Sequence, residues 1–136
     1  MKREINIKSI KTPQKKNLEE ELKIITESMF LSSGRDIKNT GYKIIKFILE
    51  ETYKGKEIKT EDISKKLKFP IARINHHIRR LTELGIVYRE KRNIKLRRNT
   101  LKNTIEEVKR DADRIFEDLI RTAEEIDKQL EEKIKQ

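Results

Sequence analysis

The chain has 136 residues, enough for one domain or one domain with an extension. Charged residues make up 43% and hydrophobic ones 34%, with a net charge of +10, yet the 38 Leu, Ile, Val and Phe residues lift it clear of disordered compositions. It has no Cys, which excludes disulfides, thiolate metal sites and thiol catalysis, and no apolar run that predicts a membrane span or a secretory signal, so a cytoplasmic location is expected.

Residues 1–16 are polar and basic. Ile5 and Ile7 alternate as in a short strand, which Thr12-Pro13 would end. Asn17 is a good N-cap, and Glu19, Glu20 and Glu21 suit the positive end of a helix dipole. Leu18, Leu22, Ile25 and Met29 recur at steps of 4, 3 and 4, which predicts an amphipathic helix ending at Ser32-Ser33-Gly34. Asn39-Thr40 opens a second helix with Ile44, Ile45, Ile48, Leu49 and Thr52 on its buried face and Gly55 beyond its end. Glu57-Ile58-Lys59 reads as extended. Thr60 is the expected cap of a third helix that buries Ile63 and Leu67. Phe69-Pro70 forces a turn, because the residue before Pro avoids the α region.

A fourth helix is expected from about Pro70 to Leu84, burying Ile71, Ile74, Ile78 and Leu81, with Gly85 as its stop. Ile86-Val87-Tyr88-Arg89 and Asn93-Ile94-Lys95-Leu96-Arg97 read as two short strands, the second with Ile94 and Leu96 on the core and Lys95 and Arg97 on a basic face. From Leu101 the pattern is one long helix. Leu101, Ile105, Val108, Ala112, Ile115, Leu119, Ala123, Ile126, Leu130 and Ile134 average 3.67 residues per step, nearer a straight helix than a left-handed heptad coil. At ~1.5 Å per residue it outruns any core that residues 40–98 can build. The surplus must pack on the 17–33 helix, on another copy of the chain, or on both.

The charge is concentrated. Residues 1–64 carry net +3, residues 65–98 net +10, and residues 99–136 net −3. A basic block of this size implies a polyanion partner, nucleic acid first and anionic membrane second. The Ile and Lys bias (21 Ile against 3 Ala, 22 Lys against 12 Arg) fits an AT-rich genome, and abundant Lys and Glu fit a thermophile. Neither bears on function.

The order helix, helix, turn, helix, glycine, basic hairpin is that of a winged helix-turn-helix. Residues 60–67 (TEDISKKL), 74–81 (INHHIRRL) and 84–87 (LGIV) resemble winged-helix repressors of the ArsR type, and MarR-like archaeal regulators share much of the pattern. The resemblance covers residues 40–100. Two departures stand out: Lys68 occupies a turn position where such motifs often have Gly, and the Cys-bearing metal site of the arsenical and cadmium sensors is absent. The fold class expected is mainly α with a small β-hairpin: an N-terminal arm and helix (1–39), a winged helix-turn-helix (40–100) and a long C-terminal dimerisation helix (101–136).

On a helical wheel Ala72, Arg73, His76, Arg79, Arg80 and Glu83 point away from the apolar side, with Asn75 on the flank. Such a helix fits the major groove of B-DNA and reads base edges with its N-terminal residues. Ala72 permits close approach and contact with a thymine methyl. Arg73 can fork onto guanine. Asn75 and His76 can hydrogen-bond bases or phosphates. Arg79, Arg80, Lys65 and Lys66 suit phosphates, Lys91 and Arg92 the minor groove, and Arg89, Lys95 and Arg97 the backbone. The bland alternative is a solvated basic face.

Dimerisation is assigned to Leu18, Leu22, Ile25, Leu101, Ile105, Val108, Ala112, Ile115, Leu119 and Ile126. His76-His77 is a poor metal site, since adjacent helical residues point apart and no third His exists. The paired glutamates of the long helix read as a solvated face. No Ser-His-Asp set, phosphate loop or dinucleotide glycine pattern occurs, so neither catalysis nor a cofactor is expected. The expected partners are double-stranded DNA and a second copy, with no membrane. An effector, if one is sensed, would bind between the N-terminal helix, the long helix and the core. Sequence-independent architectural DNA binding and a protein-interaction module are the competing readings.

Overall fold

The structure, a computed structural model, describes residues 17–30 and 40–135. The expectations at Ile5 and Ile7, Thr12-Pro13, Ser32-Ser33-Gly34 and Asn39 lie outside them. The described residues are mainly helical, with one antiparallel two-stranded hairpin and a long C-terminal helix. In chain order they are α1 (Leu18–Ile25), continued by a π-helical stretch Thr26–Phe30, then α2 (Thr40–Tyr53), α3 (Thr60–Leu67), α4 (Ile71–Glu83), β1 (Val87–Glu90), β2 (Asn93–Leu96) and α5 (Leu101–Lys135).

Local chemistry sets most of the boundaries. The Asn17 side chain accepts from the Glu20 amide at 2.8 Å, as an N-cap should. α1 is shorter than expected: at Thr26, whose hydroxyl donates to the Leu22 carbonyl at 2.7 Å, the α pattern gives way to π. Gly55 and Gly85 end α2 and α4 in the left-handed region (φ +73° and +83°). Each closes a double hydrogen bond of the Schellman type: Gly55 N to Thr52 O with Lys56 N to Glu51 O, and Gly85 N to Thr82 O with Ile86 N to Leu81 O.

The start of α3 corrects the expectation. Lys59 is the N-cap residue, its amide donating to the Asp62 carboxylate at 3.1 Å, and Thr60 is the first helical residue. The turn after α3 keeps a left-handed residue although it has no glycine: Lys68 sits at φ 60°, ψ 42°, and Ser64 Oγ donates to the Phe69 carbonyl at 2.8 Å across it. Pro70 is the N-cap of α4 rather than its first residue. Thr100 holds the start of α5 by accepting from the Asn103 amide at 3.1 Å.

The core is largely isoleucine. Ile44, Ile45 and Ile48 of α2 meet Ile63 of α3, Ile74 and Ile78 of α4, and Ile58, Ile86 and Ile94 of the connecting segments and hairpin, all at most 2% exposed. Burying each such side chain stabilises by about 2 kcal/mol before the chain's entropy is set against it. The β1–β2 register pairs Val87 with Leu96 and Glu90 with Asn93, leaving Lys91-Arg92 as a two-residue tip. Ile94 N also donates to Ile58 O at 2.8 Å, so the 56–59 connection flanks the hairpin.

Three burial expectations fail. Glu107, read with the other paired glutamates as part of a solvated face, is buried because α5 packs on the base of the hairpin there. Ile71, at the first residue of α4, is 47% exposed because the helix begins there, beyond the packed core. Along α5 the apolar stripe is covered only as far as Ala112. From Asp113 on, every described residue except the half-buried Ile115 is exposed, so α1 does not cover the surplus of the long helix.

Candidate nucleic-acid interface

The α4 helix buries Ile74, Ile78 and Leu81, and the same 3.6-residue period turns Ala72, Arg73, His76 and Arg79 outward. All four are exposed. Asn75, His77 and Arg80 flank that face half-buried, and the rings of His76 and His77 meet edge-on with centroids 5.5 Å apart. Of the acids between 65 and 98, Glu83 lies at the far end of α4, and Glu90 pairs with Lys95 across the hairpin at 3.5 Å. The first three turns of the exposed face therefore carry cations and no carboxylate.

Arg73 is positioned. Its guanidinium carbon lies 5.5 Å from the centre of the Phe69 ring, and Lys43 Nζ lies 5.8 Å from the same centre. One ring from the α3–α4 turn thus gathers a cation from α4 and another from α2. Lys43 falls outside the basic block, so sequence reasoning missed it. It stands one position before the buried Ile44, exposed, and only the folded ring next to it signals its place.

The hairpin divides its cations. Lys91 and Arg92 are exposed at the tip, with Lys91 at φ 59°, and Lys95 is exposed along the outer face. Lys65 and Lys66 are exposed on α3. Arg89 differs. Arg89 is exposed too, but it shares the strand face of the buried Val87, and its guanidinium donates to Thr60 Oγ1 at 3.1 Å and to Asn75 Oδ1 at 3.0 Å. It links β1 to the start of α3 and the middle of α4, and it fixes Asn75.

Arg97 corrects the sequence reading more sharply. It was expected beside Lys95 as a backbone cation on an open face. At the base of the hairpin α5 closes that face: Arg97 donates to both oxygens of Asp111 at 2.6 and 3.2 Å and lies 3.7 Å from Glu107. Its side chain is 19% exposed, and those of Asp111 and Glu107 are 7% and 12%. The hydrogen bond to Asp111 raises the Arg97 pKa despite the opposing cost of burial. Burial alone would push the Glu107 carboxyl up, but the hydrogen bond from Arg110 and the charge of Arg98 outweigh it and hold it below the usual range. Arg97 is a structural link between the hairpin and α5.

The residues assigned to dimerisation also separate. Leu22, Val108 and Ala112 are buried by the fold of a single chain, a correction to that assignment. Ile25, Leu101, Ile105 and Ile115 are half-buried. Leu18, Leu119 and Ile126 are exposed. Leu18, Leu22, Ile25, Leu49, Tyr53 and Leu101 line an apolar cleft of about 250 Å³ between α1, α2 and the start of α5.

Among the described residues no helix is long and apolar enough to cross a membrane, and no three His, Cys, Asp or Glu side chains stand together as metal ligands. No family model, curated protein or solved structure matches the chain.

Proposed function

We propose that this protein is a sequence-specific double-stranded DNA-binding regulator of the winged helix-turn-helix type that acts as a homodimer. In this reading α4 enters the major groove, and the tip of the β1–β2 hairpin reaches the phosphates or the adjacent minor groove. The observation that carries it is the outer face of the first three turns of α4, which has no carboxylate and where Ala72, Arg73, His76 and Arg79 are exposed together, with Arg73 against the Phe69 ring. A small residue next to an arginine at the start of a helix suits close approach to base edges and a bidentate contact with guanine. Lys65, Lys66, Lys91, Arg92 and Lys95 surround it as phosphate contacts and supply a steep salt dependence. Lys43 joins this set. Arg89 and Asn75 act on the DNA only indirectly, by fixing α4 against the hairpin.

The test is selection from a random double-stranded DNA library at two salt concentrations, followed by sequencing. A two-fold symmetric motif, weakened when salt is raised, is the expected result. Arg73→Ala then relaxes base preference at one position of each half-site, whereas Lys91→Ala weakens all sequences alike. Salt-sensitive binding without any motif would replace this reading with a sequence-independent architectural one. Absence of binding at low salt would remove DNA as the partner.

A further inference from the structure

The exposed half of α5 is built to pair with itself. Over Phe116, Leu119, Ala123, Ile126 and Leu130 the steps are 3, 4, 3 and 4, a strict heptad seam, although the whole helix averages nearer 3.67. Phe116, Leu119, Ile126 and Leu130 are each more than half exposed. The opposite face alternates acids and bases at helical spacing. Glu117, Glu124 and Glu131 stand four residues before Arg121, Lys128 and Lys135, the favourable helical order, and Arg121 meets Asp118 at 2.9 Å. One face is finished for water and the other is not.

We propose that this segment forms an antiparallel two-stranded coiled coil with the same segment of a second copy, resting on the homodimer of the proposed function. The next seam position after Leu130 is Lys133. In a parallel pair each seam residue meets its own counterpart. That sets Ala123 against Ala123, leaving a gap, and Lys133 against Lys133, two like charges in one layer. It also brings two basic blocks of net +10 side by side. An antiparallel pair centred between Ala123 and Ile126 removes all three conflicts. Ala123 faces the partner's Ile126, a small residue against a large one. Leu119 faces the partner's Leu130. Lys133 lies over the partner's Phe116, where an ammonium and a ring attract. The helix dipoles oppose, and the basic blocks move to opposite ends of the rod. The two Ala112 residues, where burial within each chain ends, then lie about 37 Å apart along the axis, close to one turn of B-DNA.

Because the chain has no Cys, two single variants decide the matter. Leu119→Cys and Leu130→Cys proteins, one carrying a short tag, are oxidised alone and mixed, with mass measured by light scattering and helix content by circular dichroism. The expected result is a dimer in which only the mixture gives the disulfide-linked species, since two Leu119 positions sit about 16 Å apart in this register. Crosslinking of Leu119→Cys with itself would overturn the antiparallel register and leave the homodimer standing. A dimer that crosslinks in no combination would place the contact on another face and overturn the pairing. A monomer would overturn the pairing and the homodimer together.

Discussion

The two halves of α5 share one helix and one apolar period but have opposite fates. Val108 and Ala112 are closed within the chain, while Leu119, Ile126 and Leu130, on the same stripe, are open. Spacing decides which residues share a face. What covers that face depends on where other elements end, and the hairpin and its neighbours stop opposite Asp111. Acid placement marks the boundary. Glu107 and Asp111 turn inward to Arg97, whereas Glu117, Glu124 and Glu131 are exposed.

The sharpest way to break this contrast is to put the same charge on each half. Val108→Asp places a carboxylate where the side chain is 4% exposed, and the fold should lose about 4 kcal/mol or more in urea unfolding. Ile126→Asp should leave the folded signal of the dilute chain unchanged and reduce the mass at high concentration from dimer to monomer. Equal destabilisation by both would mean that the far half of α5 belongs to the monomer's core.

The cations of the hairpin make the same comparison on a smaller scale. Arg97→Ala leaves Asp111 and Glu107 in a half-closed site with part of their neutralising charge gone, and should cost about 3 kcal/mol. Arg92→Ala, at the exposed tip, should change stability by less than about 0.5 kcal/mol and weaken DNA binding. Reversal of that pattern would move Arg97 back among the ligand contacts.

Acid titration probes the same cluster more gently. Glu107 has its folded pKa lowered, so its contribution is complete above the unfolded glutamate value of about 4.3 and is lost as pH falls through the lowered folded value. The wild type should therefore lose thermal stability as pH drops below that range. Glu107→Gln should flatten the fall. A slope unchanged in the variant would assign the acid sensitivity to other carboxylates.

Much of this architecture is legible in the order of residues. Apolar spacing and the capping signals at Asn17, Gly55 and Gly85 locate helices because helical geometry is local. The exposed face of α4 follows from the same rule. Arg89 and Arg97 escape it because their partners lie 14 or more positions away, on other elements. The aim of Arg89 at Thr60 and Asn75 depends on a strand register fixed by Val87. Lys43 is invisible for a similar reason, since its neighbour is a ring 26 residues along the chain.

The α3–α4 turn gives the smallest and most local comparison. Gly85 and Lys68 both follow a helix in the left-handed region, at φ +83° and +60°, but only one is a residue suited to it. A side chain there costs about 1 kcal/mol, and glycine avoids that cost while adding some freedom to the unfolded chain. The turn geometry is already fixed without glycine: Lys68 N donates to Ser64 O at 2.8 Å, and Ser64 Oγ closes onto Phe69 O. Lys68→Gly should therefore raise stability by about 0.5–1 kcal/mol, measured by urea unfolding with an unchanged slope. It should keep Phe69 in place for Arg73, and base preference should not change. Destabilisation by Lys68→Gly would mean that the lysine side chain contributes more to the turn than its backbone strain removes.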